Sequence, residues 1–326
     1  MSLDVHPIVD ELTAARHSDS AMKAATMTFA VFFENSAVAS WVTQRAHVVA
    51  DKHPARTLLF DGTKNEGDQH AEPSVTRGEW VEVGVRGASA SELASALSML
   101  ALPEAPIVLS WIATGIQHDD RFVALANIAD TIVVSSSAIA SDASAMSDLM
   151  TFVANHPDII VQDISYLRLA AWQELIAEFF DEPAFLMELT KLREVEIAGG
   201  SEAEMYYLLG WLASRLGWSP CAANQFCNSS GDIIRFSMTR DGSVRRLSSV
   251  VLKSADVTFS AAVLENDPDA VCLEVTGAKR RAVRCTPLHT MDIASLIERA
   301  ILTNAQDEIF MQTLDMAKLI IERKSS

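Results

Sequence analysis

Asp163-Ile164-Ser165-Tyr166-Leu167-Arg168-Leu169-Ala170-Ala171-Trp172-Gln173-Glu174-Leu175-Ile176-Ala177-Glu178-Phe179-Phe180 is the stretch on which the reading of this chain turns. It follows an apolar, strand-like run, Ile159-Ile160-Val161. Leu169, Trp172, Leu175, Ile176, Phe179 and Phe180 recur at the spacing of one helix face, so a helix is expected to start at the turn. Before this stretch, strand and helix patterns alternate. After it they do not, and the domain boundary is placed there, giving residues 1–160 and 161–326.

Upstream, Ala25 to Phe33 reads as a buried strand feeding a helix capped at Asn35 or Ser36, with Val38, Trp41, Val42, Val48 and Val49 on its core face. His53-Pro54 ends that helix, and Thr57-Leu58-Leu59-Phe60 is the next strand. Thr63 to Arg77 is polar and without period, as expected of a surface loop. Glu79 to Val85 alternates as a half-buried strand does, and Ser89 with Glu92 forms a capping box. Ile107 to Ile112 and Thr131 to Val134 are further strands, with helices near Asp119–Asn127 and within Asp142–Ala154. The alternation predicts an α/β, doubly wound, largely parallel sheet.

Downstream, Leu192 to Ile197 is a strand candidate, and Ser201 with Glu204 offers a second capping box before Met205, Leu208, Leu209, Leu212 and Leu216. Gly217 is the expected helix stop. From Ile233 the two-residue period of strands dominates, with Asp241-Gly242 as a hairpin turn. Helices near Met291–Leu302 and Gln306–Arg323 finish the chain. The second domain is thus expected to be α+β, with an antiparallel meander and C-terminal helices.

The formal net charge is −17, and residues 1–230 alone carry all of it, with 13 Lys and Arg against 30 Asp and Glu. An acidic surface repels phosphate backbones, so nucleic acid is not an expected partner. The run Lys279-Arg280-Arg281-Ala282-Val283-Arg284 reads as a solvated hairpin tip. No apolar run reaches membrane-spanning length, and a cytoplasmic location is expected. The four cysteines, Cys221, Cys227, Cys272 and Cys285, form no C-x-x-C pair, and idle reduced thiols are the favoured reading. Cys221 and Cys227 are the pair close enough to meet across a loop, and are the redox candidates.

The chemistry a doubly wound sheet invites fails at the first strand, which runs into Phe33-Glu34-Asn35-Ser36. A pyrophosphate cradle needs glycines there so that backbone N–H groups can approach. No cofactor is therefore expected. His118-Asp119-Asp120 reads as a solvated helix start rather than a metal site, and no G-x-S-x-G elbow occurs. Asp163 and Arg168 are expected to pair across the turn. Trp41 and Trp172 are placed in the core. Trp111, at a strand end, and Tyr166, before the helix, are placed at the surface, where aromatics with arginine suit a protein interface.

Several separated segments resemble one family. His53-Pro54-Ala55-Arg56 before Thr57-Leu58-Leu59, Ala105 to Trp111, Asp163 to Leu169 with Trp172, and the string Gly210-Trp211-Leu212-Ala213-Ser214-Arg215-Leu216-Gly217-Trp218 are similar to motifs of the OpcA family of glucose-6-phosphate dehydrogenase assembly proteins. Tyr166, Ala171 and Ser110 depart from its usual tryptophan, proline and tryptophan. The resemblance implies a non-catalytic partner that binds glucose-6-phosphate dehydrogenase and favours its active oligomer. Trp111, Tyr166, Arg168, Asp163, His53 and Arg56 are then the candidate partner interface. The competing expectation is a sugar-phosphate sensor or enzyme using the strand-end crevice near Trp111.

Overall fold

The computed structural model describes residues 3–18, 25–65, 68–74, 78–113, 115–116, 118–138, 142–277 and 280–325. After α1 (His6–Ser18), β1 (Thr28–Phe33) leads into α2 (Ser36–Lys52), where Asn35 caps the helix by accepting from the Ala37 N–H. β2 (Ala55–Asn65), β3 (Gln69–Ser74) and β4 (Gly78–Arg86) follow, then α3 (Ala90–Leu100), which opens on the expected Ser89/Glu92 box. β5 (Ile107–Ile112), α4 (Asp120–Ala126), β6 (Thr131–Val134), α5 (Asp142–Asn155) and β7 (Ile160–Asp163) complete the alternation. The sheet order is β3-β4-β2-β1-β5-β6-β7; all neighbours are parallel except the β3 edge. The core strands are apolar on both faces, as sheets covered by helices on both sides must be: every residue of β1 is buried.

Two expectations fail here. Part of the polar stretch 63–77 is strand, because β3 pairs with β4 in register (His70 with Glu82) and an edge strand keeps polar residues; residues 66–67 and 75–77 lie outside the described residues. β4 is buried along most of its length rather than half-buried, since Glu79 is neutralised internally by Arg56.

Beyond Asp163 the expected single helix is two pieces, α6 (Ile164–Leu167) and α7 (Ala170–Glu178), joined at Arg168-Leu169. α8 (Pro183–Leu186), β8 (Glu194–Gly199) and α9 (Glu202–Leu216) come next. α9 starts at Ser201, whose hydroxyl accepts from the Glu204 N–H, and stops at Gly217 in the left-handed conformation (φ 65°). β9 (Ser219–Ala222), β10 (Gln225–Cys227), β11 (Ile233–Arg240), β12 (Leu247–Lys253), β13 (Val257–Leu264), β14 (Asp267–Gly277) and β15 (Arg280–Pro287) form the second sheet, followed by α10 (Ile293–Ile301) and α11 (Glu308–Ser325). Its order is β15-β14-β13-β12-β8-β11-β10-β9, antiparallel except for β8 with β11. The meander expected from residue 233 is confined to β12–β15. Asp241-Gly242 is not the tip of a hairpin, because β8 sits between β11 and β12.

The chain divides into two compact units. One comprises residues 1–140, 151–164 and 292–306; the other comprises 141–150, 165–291 and 307–326. The single cut at residue 160 differs from this division in residues 141–150, 161–164 and 292–306. There α10 lies beside α2 in the first unit, tied by Glu298 to Lys52 and His53.

Candidate functional site

In a doubly wound sheet the ligand crevice opens where neighbouring strands send their helices in opposite directions, here at the C-terminal ends of β1 and β5. Those ends are filled by the chain's own side chains. Trp111 is buried, correcting the expectation that it is exposed; its ring stacks on Phe32 at 4.3 Å and meets Phe122 edge-on at 5.3 Å. Its indole N–H donates to the Gly115 carbonyl at 2.6 Å. Arg121, at the start of α4, lies 5.2 Å above the Phe32 ring. Its guanidinium reaches Asp119 at 2.6 Å and Glu34 at 2.9 Å, and these carboxylates, Asp119 first, raise its pKa further. The ion pair thus spans from the loop after β1 to the loop after β5. Where a pyrophosphate needs glycine and free N–H groups, the chain places Glu34, a capped helix end and a sealed aromatic stack. A dinucleotide does not fit these residues.

The turn after β7 holds three further candidates, each occupied internally. Asp163 is fully buried and accepts hydrogen bonds from the Ser136 N–H and hydroxyl. Arg168 meets Glu204 on α9 at 2.8 Å, so the expected Asp163–Arg168 bracket gives way to two separate contacts. Glu204 is therefore half of a capping box only: its backbone N–H is capped by Ser201, while its carboxylate serves Arg168 and the Leu247 N–H. Burial pushes the Glu204 carboxyl above its ordinary range, against the pull of Arg168. Tyr166 is 6% exposed, wedged against Tyr207 and Phe310, and burial raises its pKa. Its departure from tryptophan is a change in packing rather than on the surface.

His53 and Arg56 likewise have partners within the chain. Arg56 lies buried between Glu79 (2.5 Å) and the Leu100 carbonyl (2.6 Å), tying β2 to β4 and the end of α3. His53 Nε2 sits 3.0 Å from Glu298. The Gly210–Trp218 string has a packing explanation too. A Cβ on Gly210 would stand 2.6 Å from the Thr313 carbonyl of α11, so only glycine lets α9 and α11 approach this closely. Trp172 is in the core as expected, whereas Trp41 is 40% exposed on α2 because Val42, Ala46 and Val49 supply the buried face.

Both cysteine pairs are disulfides, correcting the expectation of reduced thiols. Cys221–Cys227 closes the β9–β10 hairpin, and Cys272–Cys285 joins directly opposed residues of β14 and β15. Cys272 and Cys285 face each other in the β14–β15 register, whereas Cys227 faces Ser219 and reaches Cys221 within an irregular β9–β10 pairing; neither placement is legible without the strand register. A groove of about 550 Å³ lies in the second unit between the α7–α8 segment and β14–β15. Lys279 of the basic run lies outside the described residues; Arg281 and Arg284 sit on β15, paired with Glu274 and Glu178. Among the described residues, no three His, Cys, Asp or Glu side chains group as a metal site, and no helix is long and apolar enough to cross a membrane.

The solved structures that share this fold include a 3-ketoreductase, KijD10 from Actinomadura kijaniata, in complex with TDP-benzene and NADP (9% identity, 92% of this chain and 97% of that one, TM-score 0.57). The transcriptional regulator Gal80p from Kluyveromyces lactis is another (10% identity, 93% and 94%, TM-score 0.54). At such identities the likeness concerns the fold alone. Curated relatives include OxPP cycle proteins OpcA of Synechocystis sp. (33% identical over 142 residues, 42% of this chain) and Synechococcus elongatus (34% over 148 residues, 42% of this chain). The matches span 30% and 32% of those relatives' own lengths. Residues 46–151 match the glucose-6-phosphate dehydrogenase subunit N-terminal domain, and residues 159–314 match the corresponding C-terminal domain. Two consecutive family domains in their natural order thus account for most of the chain, and it belongs to the OpcA family of glucose-6-phosphate dehydrogenase assembly proteins.

Proposed function

We propose that this protein is a non-catalytic, cytoplasmic partner of glucose-6-phosphate dehydrogenase that binds the enzyme and favours its active oligomer. The observation that carries the reading is the pair of family-domain matches over residues 46–151 and 159–314. The filled crevice at Phe32, Trp111 and Arg121 supports a role in binding rather than turnover. A partner that binds the active oligomer better than the inactive one shifts that equilibrium by its differential affinity, with no chemistry of its own. The candidate interface residues serve this role indirectly: they hold the two units in shape. The same filled crevice leaves the sugar-phosphate alternative without an observation in its favour.

Titrating the purified protein into the dehydrogenase while following NADPH formation and co-elution tests the reading. Saturable activation with a shared elution position supports it. A redox input through Cys221–Cys227 belongs to the same proposal, and a Cys227→Ser variant that activates identically in oxidising and reducing buffer removes it.

A further inference from the structure

Each edge of the eight-stranded sheet is closed by a disulfide. β9, at one end of the strand order, carries Cys221, bonded to Cys227 of β10; β15, at the other end, carries Cys285, bonded to Cys272 of β14. The two locks hold different amounts of chain. β9 and β10 are four and three residues long, so the first holds little. The second sits within the register that pairs Ala270–Gly277 with Arg280–Pro287, along the whole of β15. In the sheet order β15 comes last, beside β14, and is supported as a strand from that side. Toward the helices it is tied by Arg284 to Glu178, a pair exposed at 62% and 43% and so weakly held. β15 is exposed from Arg281 to Cys285, which leaves the Cys285 end of the disulfide open to solvent. Val271 and Leu273 of β14 are buried beside it, opposite Thr286 and Arg284 in the register.

A disulfide within reach of an external thiol exchanges, and a strand held mainly from one side gives way when its covalent restraint goes. We propose that Cys272–Cys285 is a reversible latch on β15, opened by a dithiol reductant. A thiolate of the reductant attacks Cys285 Sγ, the S–S bond breaks, and Cys272 departs as a thiolate that takes up a proton. The reductant's second thiol then displaces Cys285, so the reductant leaves as a disulfide, two electrons poorer, and the protein holds two thiols. An oxidised dithiol reverses the sequence. Opening removes the cross-link between residues thirteen apart, and β15 loosens from β14 and from its cover over Val271 and Leu273. The oxidised protein thus has a closed sheet edge and the reduced protein an open one. The latch concerns this chain alone and goes beyond the proposed partnership; its use in a cell rests on the proposed cytoplasmic location, where thiols are abundant and the disulfides that do form are commonly exchanging ones.

The test uses the folded full-length chain, oxidised and then held in reduced dithiothreitol without denaturant. Alkylation with mass spectrometry reads each cysteine pair, and hydrogen exchange reads residues 280–287. The expected result is that Cys272 and Cys285 become alkylated while the protein stays folded, and that exchange along β15 quickens on the order of tenfold or more. Reoxidation restores the slow rate. A Cys221→Ser/Cys227→Ser variant, which keeps only the β15 latch, responds in the same way, and a Cys272→Ser/Cys285→Ser variant exchanges fast in either buffer. Where a serine variant does not fold, the wild-type pair of measurements decides. The latch is overturned if Cys272–Cys285 stays intact until denaturant is added, or if it opens and exchange along β15 does not change. A quickening that vanishes in the Cys221→Ser/Cys227→Ser variant belongs to the other edge and overturns it too. None of these outcomes touches the partnership with the dehydrogenase, which the activity titration tests separately.

Discussion

Replacing Arg168 by methionine probes the contact that holds the turn after β7 to α9. The substitution keeps an unbranched apolar stem and removes only the guanidinium. Its partner Glu204 has a side chain 2% exposed, and Arg168's own is 12% exposed, so the carboxylate is left in the interior. Breaking one side of a buried pair costs about 3–5 kcal/mol, a large share of the roughly 5–15 kcal/mol that holds a domain folded. The loss carries a pH signature. Burial already raises the Glu204 carboxyl, and removing Arg168, which pulls it down, raises it further. A carboxyl with a raised folded pKa contributes stability that is fully present below its unfolded value and lost as the pH rises through the folded one. The deficit of Arg168→Met is therefore greatest at neutral pH and shrinks as the pH falls toward 4.5, the ordinary glutamate value. Adding Glu204→Gln, which keeps an acceptor for the Leu247 N–H, recovers about 2 kcal/mol at neutral pH. Urea unfolding followed by tryptophan fluorescence across this pH range is the assay. A single-variant loss below about 1 kcal/mol, or a loss independent of pH, refutes the reasoning.

Three other substitutions or treatments follow from packing and covalent structure. Gly210→Ala puts a methyl group 2.6 Å from the Thr313 carbonyl and lowers stability by about 1–3 kcal/mol; an unchanged melting curve would mean that α9 and α11 do not touch there. Phe259→Ala removes the ring on which Phe179, Phe180 and Phe185 rest and costs about 3–5 kcal/mol by denaturant titration, with a smaller cost placing those rings elsewhere. Thiol titration of the unfolded, unreduced protein finds no free thiol and, after reduction, finds all four cysteines; thiols detected before reduction would contradict the disulfides.

Much of the fold was legible because its signals are local. Apolar strands between amphipathic helices, the Ser89/Glu92 box and the Gly217 stop all concern residues a few positions apart. What the sequence hid depends on partners distant along the chain. Glu79 alternates like an exposed residue but is buried, because Arg56, a strand away, neutralises it. Glu204 fits a capping box by spacing, yet its carboxylate goes to Arg168, which comes 36 residues earlier. Position in the chain likewise misled the reading of Trp111 and Tyr166: a strand end and a helix start are ordinarily surface sites, and here Phe32 and Phe310 cover them. The insertion of β8 between β11 and β12 is a topological choice that no pattern within residues 233–253 records. The motifs shared with the family were readable as strings, but their structural meaning, a glycine contact and buried ion pairs, emerged only with the packing.

We propose that this chain acts on glucose-6-phosphate dehydrogenase by binding it. The most direct measurement is the NADPH-forming rate of the host enzyme as this protein is titrated in, with size-exclusion chromatography of the same mixtures. The expected result is a rate that rises and saturates, with both proteins eluting together. An unchanged rate and separate elution across the titration would contradict it.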